Sequence, residues 1–220
     1  MAWLMTQSSS RKWHVPLLAV DPKCRSREEA TEAVRPLMAE AREYQKGHGF
    51  LPCGIHAGGH EIPARFWPQQ GYFINKFDKL PRILGLANFF LIPEAWRDAI
   101  ERFEPGVHQF KYVPLFRKDG SPLDEKFYAL NVRQAYHDVA DRRQSTAPIK
   151  DYTKRKNVFL NTSNSHNAKV FFRKEALGDY HLWCPREILI YHIAMSNDLY
   201  SAIAEIGGME SVRTLEIEEV

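Results

Sequence analysis

Apolar residues recur along this chain with two periods, and the switches between them mark its elements. Over residues 26–45, SREEATEAVRPLMAEAREYQ, positions Ala33, Leu37, Ala41 and Tyr44 fall at helical spacing, and Ser26 with Glu29 makes a capping-box start. The spacing predicts a helix, kinked or split at Pro36, whose ring clashes with the carbonyl four residues back. Before it, KWHVPLLAV (12–20) reads as a short buried strand, and Ser8, Ser9 and Ser10 as part of a frayed terminus. From Gly47 to Gly71 glycine, proline and histidine interrupt both periods, which predicts a long loop.

Further on, the period shortens to two. VHQFKYVPLF (107–116) and KFYALNVRQAY (126–136) each alternate apolar and polar residues over part of their length, and the KDGSP between them supplies a turn. A β-hairpin is expected, with Asp119 and Gly120 there for backbone geometry and Tyr128, Leu130 and Val132 pointing into the core.

A weak internal repeat organises the rest. LIPEAWRDAIERFEPGVHQFKYVPL (91–115) and AMSNDLYSAIAEIGGMESVRTLEI (194–217) each carry an apolar strand end, a cap, a short helix, a glycine stop and a second strand. Ala99-Ile100 and Ala202-Ile203 occupy the same place in the two units, and Ser196 with Asp198 marks the second helix start. The expected class is α+β: a mixed or antiparallel sheet with helices packed on it, built around two related strand–helix–strand units.

Composition adds bounds. The 220 residues are 44% hydrophobic and 26% charged, enough apolar material for a core without disulfides or metals. The opening MAWLMTQSSSRKWH has no basic region followed by a long apolar run, and no stretch approaches the roughly 18 apolar residues that span a bilayer. Cys24, Cys53 and Cys184 are far apart and form no CxxC pair, so a reduced cytoplasmic protein is expected. The net charge of +3 is uneven: residues 1–160 hold 25 Lys/Arg against 18 Asp/Glu, and residues 161–220 hold 5 against 9. That is no dense basic stripe of the kind nucleic acid requires, while the acidic final part suits a basic partner.

Candidate chemistry is sparse. CGIHAGGHEIP (53–63) sets His56, His60 and Glu61 beside Cys53, a donor set that binds zinc when a helix brings both imidazoles to one face. Gly58 and Gly59 separate the two histidines, so a metal-free Gly-rich turn packed over ARFWP is expected instead. His137 with Asp138 and Asp141, near Arg142 and Arg143, reads as a polar strand end and cap, because neighbours on a strand point to opposite faces. No nucleophile elbow, phosphate-binding loop or dinucleotide fingerprint is present, and no cofactor is expected. KDYTKRKNVFLNTSNSHNAK (150–169) mixes bases with Tyr152 and Phe159 but reads as a solvated loop. In HLWCPRE (181–187), Trp183 is either core or the anchor of a protein interface.

Three stretches together resemble one family. They are GHEIPARFWP, VHQFKYVPLFRKDGSPLDEKFYALNVRQAYHDVADRRQS, and LGDYHLWCPREILIYHIAMSNDLYSAIAEIGGMESVRTLEI. The pattern, a His/Phe strand, an aspartate-glycine turn, Leu-Asn-Val, then His-Leu-Trp and Ser-x-Asp-Leu before a short helix and a glycine, resembles the eleventh immunity-protein family of polymorphic toxin systems. The resemblance spans roughly residues 55–220, with residues 1–54 expected as an N-terminal strand and helix packed on that main domain. Gly208 after Gly207, with Met209 and Glu210, departs from the family pattern in the last turn.

The resemblance implies a cytoplasmic, non-enzymatic protein that binds and blocks the C-terminal domain of a cognate toxin, often a nuclease, with no direct nucleic-acid or membrane contact. A nuclease site is basic because it holds phosphates, so the acidic final part is the expected contact. Trp183, Asp198, Glu205 and Glu210 are its candidate residues. Two rival readings stay open: a metal-dependent hydrolase using His56, His60, Glu61 and His137, and a nucleic-acid binder using residues 142–156.

Overall fold

The computed structural model describes residues 1–7, 17–47, 59–77, 79–136, 139–146, 149–152, 157–160, 169–185 and 193–220. Strand β1 (Ala2–Gln7) opens the chain, followed by β2 (Leu18–Ala19), helix α1 (Arg27–Gly47), β3 (Gly71–Phe73), β4 (Leu84–Leu86) and β5 (Phe89–Pro93). The middle holds α2 (Glu94–Phe103), β6 (Gln109–Val113), β7 (Leu115–Phe116), β8 (Phe127–Asn131) and β9 (Ala135–Tyr136). Then come β10 (Ile149–Tyr152), β11 (Asn157–Leu160), β12 (Phe171–Phe172), α3 (Lys174–Leu177), β13 (Leu182–Pro185), β14 (Ile193–Ser196), α4 (Asn197–Ile206) and β15 (Val212–Glu219). The class is α+β. A mixed sheet of six strands runs β12–β15–β1–β14–β13–β9, and an antiparallel sheet of four runs β4–β5–β8–β6. A three-stranded sheet β2–β3–β7 and the hairpin β10–β11 complete the described strands.

Helix α1 begins as the capping pattern requires: the Glu29 N–H donates to Ser26 Oγ at 3.2 Å. The Glu29 carboxylate, however, accepts from the Arg25 N–H at 2.5 Å, one residue behind the cap. Pro36 lies within α1 and does not split it. The buried face is also turned relative to the expected one. Ala30, Met38 and Ala41 are buried and Val34, Leu37 and Tyr44 pack beside the core, whereas Ala33 is exposed. The larger Met38 side chain defines the stripe that a count of apolar positions assigned to Ala33. Of the expected strand at 12–20, Leu18 and Ala19 pair with β3, while residues 12–16 and Ser8 to Ser10 lie outside the described residues.

The hairpin forms as its turn chemistry demands. Ser121 donates its N–H to Asp119 Oδ1 at 2.9 Å, and Gly120 takes φ 86°. Strands β6 and β8 pair antiparallel from Gln109–Asn131 to Val113–Phe127. Leu130 and Val132 are buried as expected, but Phe127 and Ala129 on the opposite face are buried too, and Tyr128 is only half-buried. β8 is an inner strand with a layer on each side, so alternation does not report exposure there.

The two repeat units share one topology. β5 and β6 run parallel on either side of antiparallel β8, and α2 connects them. β14 and β15 run parallel on either side of antiparallel β1, and α4 connects them. Each unit thus receives its central strand from elsewhere in the chain, and for the second that strand is the N-terminus. Their helices pack together: Trp96, Ala99 and Ile100 of α2 share one apolar cluster with Leu199 and Ile203 of α4, and with residues from both large sheets. Trp96 also donates its indole N–H to the Gly207 carbonyl at 3.3 Å.

One buried carboxylate fastens the units. Glu104, which caps the end of α2, bonds His108 Nε2 at 2.6 Å and accepts the backbone N–H groups of His181 at 2.6 Å and Leu182 at 3.1 Å. His108 Nδ1 accepts from the Arg133 N–H at 3.3 Å, so its Nε2 carries the proton given to Glu104. Burial pushes the Glu104 carboxyl up, but the hydrogen bonds from His108 and the His181 N–H outweigh it and hold the group below the usual carboxylate range. A second tie involves Gly208, which adopts φ 92°; a Cβ there would meet Arg82 Cγ at 2.1 Å. Arg82 in turn donates its N–H to Ser211 Oγ at 3.0 Å and pairs with Glu125.

Two outcomes follow for stability. A depressed folded-state value means that Glu104 contributes stability present above its unfolded pKa of about 4.3 and lost as pH falls toward the folded one. Glu104→Gln is expected to cost at least about 2 kcal/mol at neutral pH, and to flatten the loss of melting temperature between about pH 6 and pH 3. A variant that melts with wild-type pH dependence would refute this role. Gly208→Ala is expected to cost about 1–3 kcal/mol, read as a lowered urea midpoint, because it combines a left-handed backbone with a clash on Arg82.

Candidate functional site

The acidic final part is built on the second repeat unit. Ser196 caps α4, its Oγ accepting the Leu199 N–H at 3.3 Å, which leaves Asp198 exposed in the first turn beside the positive end of the helix. Glu205 is exposed near the end of α4. Glu210 is exposed in the 3-10 turn Met209–Ser211 that leads into β15. Residues 193–220 hold six Asp/Glu against one Lys/Arg. That one base, Arg213, stands on the opposite face of β15 from Glu216, three positions away along a strand of period two.

The structure divides three of the four candidate residues between two hollows. Trp183 and Asp198 line a pocket of about 300 Å3 at the start of α4, with Lys174, Asp179 and Glu219 also on its wall. Glu210 lines a second, of about 350 Å3, with Lys79, Arg82 and Glu125. Glu205 is on neither wall. Trp183 is 1% exposed and packs 6.2 Å from Phe172, so its bulk supports the sheet and reaches the pocket only as part of its lining.

The first pocket also holds the pair that most resembles catalytic machinery. His181 Nδ1 lies 2.8 Å from Ser196 Oγ. A serine nucleophile needs its base oriented by a third group acting on the imidazole. Here Glu104 takes the backbone N–H of His181 rather than a ring N–H, and Ser196 Oγ is occupied as a helix cap. The His181 ring packs tilted against Phe103, with centroids 4.7 Å apart, which joins α2 to the start of β13. This arrangement does the work of packing and capping.

The other predicted residues are dispersed. His60 is half-buried and Glu61 exposed, and the His60 carbonyl accepts from Asn131 Nδ2 at 2.8 Å. Gln109 Oε1 gathers the Ile62 N–H and Asn131 Nδ2, each at 2.8 Å, so the Gly-His-Glu-Ile-Pro segment is held to β6 and β8. His56 and Cys53 lie outside the described residues; among the described residues no three His, Cys, Asp or Glu are grouped to hold a metal ion. His137 and Asp138 also lie outside. Asp141 accepts the N–H groups of Arg143 at 2.8 Å and Gln144 at 3.1 Å, and these bonds hold its carboxyl below the usual range. Of residues 142–156, positions 149–152 form one strand of the β10–β11 hairpin, and 147–148 and 153–156 lie outside the described residues. No described helix is long and apolar enough to cross a membrane.

Sequence reasoning passed over Trp3. It lies on β1 between Met195 and Glu216 and stacks on Tyr200 of α4, with ring centroids 4.0 Å apart and planes 8° from parallel. The short apolar run from Ala2 to Met5 carried the signal of a buried strand.

No curated protein matches the chain. A family model, described as Immunity protein family (Imm11), matches residues 25–220, which takes in α1 as well as the three stretches of the sequence resemblance. With the match covering most of its length, this chain belongs to the Immunity protein family (Imm11).

Proposed function

We propose that this immunity protein neutralises a cognate toxin by binding it and occluding its active or substrate-binding surface, and that the toxin domain is a nuclease. The observation that carries the reading is the acidic, exposed set on one unit: Asp198, Glu205 and Glu210 around α4, with six acids against one base over residues 193–220. A nuclease must hold phosphates and so presents a basic surface, which this face complements. Opposite fields steer encounter and raise the association rate, which favours an inhibitor that has to intercept its target quickly. The family assignment supports the immunity role itself. The engagement of His181, Ser196 and Glu104 in packing and capping supports inhibition by contact rather than by chemistry. The cytoplasm, where such a target would be met, is the proposed compartment.

Residues 1–54 belong, in this proposal, to the same working unit as residues 55–220. β1 lies between β14 and β15, and α1 sets Met38 and Ala41 against Leu84, Leu91 and Phe127. Limited proteolysis is expected to leave residues 1–46 in place until the whole chain unfolds; their early loss from a protein of unchanged melting temperature would defeat the proposal.

Co-expression with the toxin encoded beside it tests the function. An occluding contact needs roughly 800 Å2 from each partner, with a few desolvated anchors. Reversing Asp198, Glu205 and Glu210 together is expected to weaken the complex at least about tenfold and restore killing, since losing a desolvated charge partner costs about 2–5 kcal/mol. Protection that survives the triple reversal moves the contact to another face. Protection without any complex overturns inhibition by binding.

A further inference from the structure

We infer that the stacked Trp3–Tyr200 pair is the anchor of the partner-binding face, and that its occupant is an arginine side chain of the toxin's basic surface. The inference rests on the immunity reading above and adds to it a site that the acidic residues alone do not define.

The pair is assembled for rigidity. Trp3 comes from β1 and Tyr200 from α4, so the stack forms only when the N-terminal strand has entered the second repeat unit. The Trp3 indole N–H donates to Asn197 Oδ1 at 3.2 Å, which fixes the ring against the start of the helix. Both rings pack on the central apolar cluster, yet each stays partly exposed. Trp and Tyr held in one rotamer and open on one side are the residues that concentrate binding energy in interfaces, because little conformational freedom remains to be lost.

The surroundings select the occupant. Glu216 is the register partner of Trp3 on β15, so its side chain stands beside the indole on the same face, and it is exposed. One helical turn beyond Tyr200, Ala204 is exposed and small, and Ser201 beside it likewise, so neither covers the rings. An aromatic surface bordered by a carboxylate fits a guanidinium, which stacks on the ring while pairing with the acid. Phosphate or an acidic peptide would meet repulsion from Glu216 and from the other acids of the unit.

The test is equilibrium binding of the full-length protein to the C-terminal domain of the toxin encoded beside it, with thermal unfolding of each variant as the control. Trp3→Ala and Tyr200→Ser are each expected to weaken the complex at least about 30-fold, the scale of an anchor residue. Glu216→Gln is expected to weaken it about tenfold and to reduce its salt dependence. Should Trp3→Ala fail to fold, Tyr200→Ser and Glu216→Gln decide, since both change partly or fully exposed side chains. A wild-type complex that both folded variants preserve within twofold overturns the anchor and leaves the immunity reading standing. Absence of any wild-type complex overturns both. Self-association of the wild type that Tyr200→Ser abolishes would assign the pair to a second copy of this chain, and so also overturns the proposal.

Discussion

A carboxylate excluded from water has to be satisfied on every side, and Glu104 meets that condition only when the two repeat units are in place. Its own N–H continues the α2 ladder to the Ile100 carbonyl at 2.9 Å. Its oxygens take a side-chain proton from His108, at the entry to β6, and two main-chain protons at the start of β13. If β13 were displaced, two N–H groups would lose their partner and the carboxylate would lose both main-chain donors, at about 1–3 kcal/mol for each neutral group and more for the charge. The shared apolar cluster of α2 and α4 holds the units together without direction. Glu104 supplies the direction, because only one placement of β13 against the end of α2 satisfies it.

The same logic explains where the family-like motifs sit. The histidine of the His/Phe strand is His108, bound to Glu104. The asparagine of Leu-Asn-Val is Asn131, wholly buried, whose Nδ2 meets the His60 carbonyl and Gln109 Oε1. The His-Leu-Trp stretch supplies the two N–H groups that Glu104 accepts and the core residue Trp183. The serine of Ser-x-Asp-Leu caps α4 and receives the His181 ring. Each is a polar or bulky group that fixes one segment against another. Motifs of this kind report architecture, and of the proposed contact residues only Asp198 belongs to one of them.

Legibility in the sequence followed the range of the interaction. Helix α1, the β6–β8 hairpin with its Asp119–Gly120 turn, and both strand–helix–strand units depend on neighbours within a few residues, and their spacing and caps stood in the sequence. The placement of β1 was not legible, because its partners at Ser196 and Ile217 lie nearly the whole chain away and a short apolar run does not name its neighbour. Glu104 was equally opaque. In Glu-Arg-Phe-Glu-Pro-Gly it looks like one more solvated helix-end acid, and only the distant N–H groups of His181 and Leu182 give it a buried role. The grouping of Trp183 with three acids was a composition argument. The fold sends Trp183 to the core and sets Asp198 and Glu210 at opposite ends of α4, while the aromatic residue left partly exposed beside an acid of this unit is Trp3, next to Glu216.

The division of labour between skeleton and surface has a physical basis. Binding by a preformed face keeps its energy only if the face does not reorganise on contact, since each side chain ordered at that moment costs about 0.5–1.5 kcal/mol. Helix α4 is fixed at its start by Ser196, at its end by the Gly207 carbonyl taking the Trp96 indole, and along its buried side by Leu199 and Ile203. Strand β15 is paired along six positions with β1, and β1 carries Trp3 under Tyr200. The exposed acids and the aromatic pair therefore stand on elements already held at both ends. A surface so supported presents its charges and its rings already ordered, so contact with a partner costs it little further conformational freedom.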